Sequence, residues 1–355
     1  MKTILRSGAV AAAFGVGLSL AVLPTGSAKA AAGVHVRCND IPGLVKAINQ
    51  ANASPNAGRI TLASHCTYNL TTPNNADDGL PEITGNVTLS GRDTTIRRAP
   101  SATQDFRILH VVSGGTLNLN SLTISNGIVG TALSGGGIAN NSGTLNLNRT
   151  VVRNNLAGTG GGLSNSGGRL NLDRSTVERN TGSGFGGGIV NGGNGTLKMK
   201  GGSLLRNRAV TGPGGGLENI QGTASLDSVS VRGNTATIGG GLRNTNGSTL
   251  HLKSTTVRDN IAVSGAGISN NSVLGTSTVT LVRSLVTRNT AITAGGGILN
   301  EPGGQVTLTD SRVVRNRPDN CSPEGSVPGC TNPANAVTPP TSQLAPPAKD
   351  NKFRK

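Results

Sequence analysis

The chain has 355 residues, a net charge of +16 and 54 glycines, but one Tyr, four Phe and no Trp. A single compact core of this size normally uses more aromatic side chains, so the composition argues against one. The positive balance favours polyanionic partners, above all outside the cell.

In chain order, Lys2 and Arg6 precede a small, apolar stretch over 7–22, and Ala28-Lys29-Ala30 fits a signal-peptidase site. Residues 1–30 therefore read as a bacterial-type Sec signal cleaved after Ala30, too short and too rich in Ala and Gly for a membrane span. Losing Lys2, Arg6 and Lys29 leaves +13 on a secreted mature chain expected to have no membrane span. Residues 31–70 read as an N-terminal cap. Asp40 and Pro42 are a helix start, and Leu44, Ile48 and Ala51 fall on one face of a short helix ending near Asn52. Short alternating segments follow at Arg59–Leu62, Val87–Ser90, Thr95–Ile96 and Ile108–Val112, read as irregular early rungs.

A repeat then takes over. Small residues, an aliphatic, any residue and an asparagine recur, ending at Asn140, Asn165, Asn191, Asn219, Asn244, Asn270 and Asn300, spaced 25, 26, 28, 25, 26 and 30 residues apart. Each repeat holds three short strand segments: the aliphatic after the glycines, a T-L-x-L-like element such as Thr144–Leu147, and a V-x-x-N element. The last supplies a second asparagine series: Asn155, Asn180, Asn207, Asn234, Asn260, Asn289 and Asn316. Three short strands per coil of about 26 residues, without a ten-residue helical stretch, predict an all-β, right-handed parallel β-helix over 71–317, with one short cap helix. Seven regular coils and three or four earlier ones, at about 4.8 Å each, give a rod on the order of 45–50 Å. Four cysteines allow three pairings, but an elongated array separates its ends. Cys38–Cys66 is therefore expected in the cap and Cys321–Cys330 in a terminal loop over 318–330. The proline-rich basic tail 331–355 has almost no aliphatic residues and is expected to be disordered.

The GGG-[IL]-x-N and V-x-x-N elements resemble the repeats of polymorphic outer-membrane proteins. More broadly, they resemble secreted right-handed β-helices of the pectate-lyase-like superfamily. The stretch from Cys38 to Asn52 with Cys66-Thr-Tyr-Asn-Leu resembles the cap of exported bacterial members. The resemblance covers about 34–330 and implies the fold. That fold carries lyases, hydrolases and adhesins, so it does not specify an activity.

The residues themselves point away from catalysis. Between 114 and 317 there are 18 Lys/Arg and seven Asp/Glu, a balance of 18 − 7 = +11, and the acids are scattered about one per coil. Glu218 and Glu301 lie near the glycine strand two coils or more apart, too far for a retaining glycosidase pair. Asp77-Asp78 is the one paired carboxylate and reads as a solvated turn, while His35, His65, His110 and His251 lack partners at metal-ligand spacing. No metal or cofactor is called for. The asparagines read as structural ladders whose residues tolerate left-handed turns, and the glycine runs as corners. The feature with binding promise is one arginine per coil beside the second asparagine series: Arg153, Arg179, Arg206, Arg232, Arg258, Arg288 and Arg315. Arg149, Arg174, Lys200, Lys253 and Arg283 lie upstream in several coils. If gathered on one face, these rows suit a linear polyanion such as an acidic polysaccharide or cell-wall polymer; as a solvated exterior they would instead discourage edge-to-edge association. Without interleaved aromatics, nucleic acid is disfavoured as a specific ligand. The expected function is that of an exported, non-catalytic binding or adhesion rod, with a lyase or hydrolase, or a purely structural component, as alternatives.

Overall fold

A computed structural model describes residues 33–333. The expected signal segment with its cleavage at Ala30, and residues 334–355 of the expected tail, lie outside the described residues. The chain forms an all-β parallel solenoid of about 11 turns with a single short helix near its N-terminal end.

That helix, α1 (Ile41–Asn52), starts where the sequence places it: Asp40 Oδ1 accepts from the Gly43 backbone N–H at 2.9 Å, and Pro42 lies in the first turn, where no intrahelical N–H is needed. Leu44, Ala47, Ile48 and Ala51 are buried against the first strands, Val34–Val36 and Gly58–Leu62, which pair in parallel. Gly58 has no side chain because Ala51 packs directly on it. The helix therefore covers the open end of the hydrophobic stack, and Cys38–Cys66 (Cα–Cα 5.7 Å) fastens it. At the other end Cys321–Cys330 (Cα–Cα 6.3 Å) closes a nine-residue separation, so both expected disulfides form.

In the regular coils the three expected strand columns are present, each in parallel register with the next coil. Ile138–Asn141, Leu163–Ser166 and their successors make a nine-stranded sheet. The T-L-x-L strands (Thr144–Asn148, Arg169–Asp173 and onward) and the three-residue V-x-x strands (Val151–Arg153, Thr176–Glu178 and onward) belong to a continuous 19-stranded sheet that turns a corner. Their inward residues, among them Leu145, Leu147, Val152 and Ile138, have essentially no exposure and join one core running from Val36 to Val327. Identical register stacks aliphatic on aliphatic in every coil, which explains the scarcity of aromatics.

A fourth strand column is also present. After the first six second-series asparagines the chain forms Leu156–Thr159, Thr181–Phe185, Arg208–Ala209, Thr235–Ile238, Ile261–Ser264 and Thr290–Ala294, a six-stranded sheet. Its end leads into the glycine triplet, whose first member packs back on the nine-stranded sheet. Gly214, at φ +74°, lies against Cβ and Oε2 of Glu218, and any side chain there would collide. Consequently the residue between the aliphatic and the asparagine, which points away from the core, is covered too: Ala139, Ser164, Glu218 and Ser269 are all buried.

Candidate binding surface

The two asparagine series are buried ladders. In the first, Nδ2 of each residue donates to Oδ1 of its counterpart one coil on: Asn140 to Asn165 (2.6 Å), Asn165 to Asn191 (2.7 Å), Asn191 to Asn219 (2.8 Å) and so to Asn300. The same amide donates to the turn carbonyl of its own coil, as Asn219 does to Gly222 O at 3.1 Å. In the second ladder Asn207 Oδ1 accepts from both Nδ2 and backbone N of Asn180 (3.1 Å each), while its Nδ2 donates to Val177 O (2.9 Å) and Asn234 Oδ1 (3.1 Å). Apart from Asn140 Oδ1 at the first rung, the ladder amides are used within the fold.

One expectation about these residues is corrected. None of the fourteen ladder asparagines has a left-handed backbone; the left-handed corner is the residue just before the second-series asparagine, as at Asn154, Arg179, Arg206, Asp259, Arg288 and Arg315. The amide must point inward to join the ladder, so the strained position falls on the outward-pointing neighbour. This divides the arginine row. Arg153, Arg232 and Arg258 end the three-residue strands, whereas Arg179, Arg206, Arg288 and Arg315 occupy the corner one residue later, at φ 52–58°. Arg149, Arg174 and Arg283 mark the opposite, equally left-handed corner of the same strand column, and Lys200 and Lys253 end the strands before it.

The arginines are not uniformly arrayed. In the last coils Arg258, Arg288, Arg312 and Arg315 line a hollow of about 570 Å³, and Arg288, Arg315 and Arg317 border a second of about 560 Å³ near Pro318. The two hollows share Arg288 and Arg315. Asp259 takes up part of this charge: it accepts from Arg288 Nε (2.8 Å) and Nη2 (2.9 Å) and meets Arg258 Nη1 at 3.0 Å. Those Arg288 bonds, opposed by partial burial, hold its carboxyl below the usual range. Among the described residues, Arg312, Arg315 and Arg317 pair with no carboxylate. Arg312 and Arg317 were not part of the row read from the sequence; counting strand register from Thr256 through Leu285 to Arg312 would have placed Arg312.

Another groove, of about 460 Å³, lies on the T-L-x-L face, where an outer amide ladder (Asn171 to Asn146 to Asn118, 2.8 Å each) runs beside Asp173, Lys198, Lys200 and Asp227. Opposite charges alternate along it, so it lacks a single-sign field.

Two groups of acids behave differently from their sequence reading. Asp78 is not a solvated turn residue; it is 2% exposed. The segment carrying it pairs in parallel with Arg107, next to the edge of the nine-stranded sheet, with Gly79 N donating to Arg107 O (2.7 Å) and Arg107 N to Asp77 O (2.8 Å). Arg107 Nε approaches Asp78 Oδ1 to 2.9 Å as a charge contact off the hydrogen-bond line. Asn75 Nδ2 donates to Asp78 Oδ2 at 2.9 Å, and His110 Nδ1 lies 3.3 Å from the same oxygen. Burial opposes ionisation of Asp78, but the His110 and Asn75 bonds with the Arg107 charge outweigh it and keep its pKa low. His110 is accordingly not isolated: its Nδ1 also lies 3.4 Å from Glu82 Oε1. Chain separation hid this contact, because the partners are 32 and 28 residues away and meet only when adjacent coils stack.

Glu218 lies in register beside Arg243, whose Nη1 donates to its Oε1 at 2.7 Å. Burial pushes the Glu218 carboxyl up to about 7, against the pull of the Arg243 charge and hydrogen bond. The Gly214 corner covers it, leaving the side chain 1% exposed.

Scans of protein-family models, of curated proteins and of solved structures each find no match to this chain. No helix among the described residues is long and apolar enough to cross a membrane.

Proposed function

We propose that the chain is an extracellular, non-catalytic binding rod whose C-terminal coils hold an acidic polymer, an acidic polysaccharide or a polyanion of a cell wall. The observation that carries this reading is the pair of adjoining hollows around Arg258, Arg288, Arg312, Arg315 and Arg317, of which Arg258 and Arg288 pair with a carboxylate, Asp259. Arg288 and Arg315 occupy corners of adjacent coils, so their charges lie about one strand spacing apart and repel. A polymer bearing carboxylates or phosphates supplies the missing counter-charge at a matching repeat. Two disulfides and a signal-like N-terminal sequence support an oxidising, extracellular setting.

Binding of polygalacturonate and of a poly(glycerol phosphate), followed by fluorescence anisotropy across a salt series, tests the reading. The R312S/R315S/R317S variant should bind at least about tenfold more weakly, with a shallower salt dependence. R153S/R179S, far from the hollows, should bind nearly as the parent does. Binding indifferent to salt, or equal in both variants, overturns the proposal. Unsaturated products released from pectate, alginate or hyaluronan would overturn its non-catalytic part.

A further inference from the structure

The cluster at the N-terminal coils has a chemistry the arginine hollows do not share. We propose that Asp78, Glu82 and His110 form a site for one divalent transition cation of the zinc class, with a coordination position left open to solvent. Asp78 Oδ2, Glu82 Oε1 and His110 Nδ1 all lie within 4.8 Å of one another. His110 Nδ1 is 3.3 Å from the Asp78 oxygen and 3.4 Å from the Glu82 oxygen. Ligands at zinc distances of about 2.0–2.1 Å in a tetrahedron are separated by about 3.3–3.4 Å, so the cluster already has two edges of that figure.

The surroundings fix each donor. Arg107 occupies Asp78 Oδ1, which leaves Oδ2 as a single, monodentate ligand atom, and Asn75 Nδ2 holds that oxygen from the side. The Asn141 side-chain amide lies 3.0 Å from His110 Nε2; turned end for end at its exposed position, its oxygen accepts the Nε2 proton and leaves the Nδ1 lone pair facing the carboxylates. Asp78 is nine-tenths buried and more, whereas the Glu82 side chain is 46% exposed, so the open position faces water on the Glu82 side.

Charge gives an independent reason. Asp77, Asp78 and Glu82 meet only Arg107 as a fixed cation here, since Arg107 Nη2 also reaches Asp77 at 3.6 Å. The sum, −3 + 1 = −2, is what a divalent ion cancels, in a chain whose net charge is +16. An imidazole donor selects zinc-class ions over calcium or magnesium, which prefer all-oxygen shells. Binding keeps the ring proton on Nε2, and the Nδ1 lone pair takes the ion together with the two carboxylate oxygens. The open position then accepts water or one anionic oxygen.

The test uses the untagged mature chain, stripped with chelator and titrated calorimetrically with zinc chloride at pH 7.5. One saturable site per chain is expected, together with a higher thermal midpoint in zinc. Cobalt substitution should give visible absorption of four-coordinate intensity. E82Q, at a half-exposed position that leaves Arg107 and Asp78 paired, should weaken binding by at least about tenfold, as should H110A. H251A, in a regular coil, should change nothing. If H110A fails to fold, E82Q with the cobalt spectrum decides the matter. Absence of saturable binding, or binding equal in E82Q and the parent, overturns the proposal.

Discussion

The regular coils from Ile138 to Asn316 and the coils before them bury polar groups in opposite ways. The regular coils repeat two amides at fixed places, so each ladder donor meets an identical acceptor a coil away. The earlier coils use unlike groups that meet once. The Tyr68 hydroxyl donates to Val36 O (2.8 Å) and accepts from Ala63 N (3.0 Å), while Asp78 meets Arg107, His110 and Asn75. Repetition gives stability without specificity for a ligand. Singular contacts bring unlike groups together, as at the proposed Asp78–Glu82–His110 site in the irregular part.

The largest effect should come from breaking the repeat at its middle. Asn207→Ala leaves Val177 O and the Asn180 backbone N–H without their buried partner, and at about 1–3 kcal/mol for each orphaned group the loss should reach about 3–5 kcal/mol. Urea denaturation followed by circular dichroism measures it, and a loss below about 1 kcal/mol would mean that the ladder is decorative. Removing the cap staple by C38S/C66S should cost about 3–4 kcal/mol for its 28-residue separation, against roughly 2.5 kcal/mol for C321S/C330S over nine residues. Equal losses would argue that the cap has no special role in covering the end.

Glu218 sharpens the comparison through pH. Its folded-state pKa of about 7 lies above the unfolded value of 4.5, so the fold takes up the proton more readily than the unfolded chain. Its stabilising contribution is present below about 4.5 and is lost as pH rises through about 7, by an amount on the order of 3 kcal/mol. Comparing denaturation midpoints at pH 5 and pH 8 in the parent and in E218Q tests this; a parent whose midpoint rises over that window contradicts it. Tyr68→Phe removes one donor from the singular network and should cost about 1–2 kcal/mol. Asn140→Ala, at the ladder's first rung, where Oδ1 has no partner, should cost about the same and clearly less than Asn207→Ala. The smallest effect should be that of Asn146→Ala in the outer ladder, below about 1 kcal/mol, because water replaces the lost amide bonds.

Much of the architecture was legible because it depends on period alone. The spacing of Ile138, Leu163 and Ile189 placed the strands, Asp40 and Pro42 placed the helix start, and the ends of the rod separated the cysteine pairs. The fourth strand column was not legible, since Thr235–Ile238 or Arg208–Ala209 carries no fixed motif and gains its pairing only from the coil alongside. Nor did the arginine row show its own division, because the left-handed corner is set by the inward turn of the next asparagine.

The sequence by itself determined a stack of like coils, its capped ends and its inward ladders, because each rests on local pattern repeated at a constant interval. Only the tertiary structure decided which outward residues meet. Asp78 with His110, Glu218 with Arg243, and Arg288 with Arg315 are each about one coil apart in the chain and neighbours in space, since stacking turns a separation of 25–32 residues into one strand spacing.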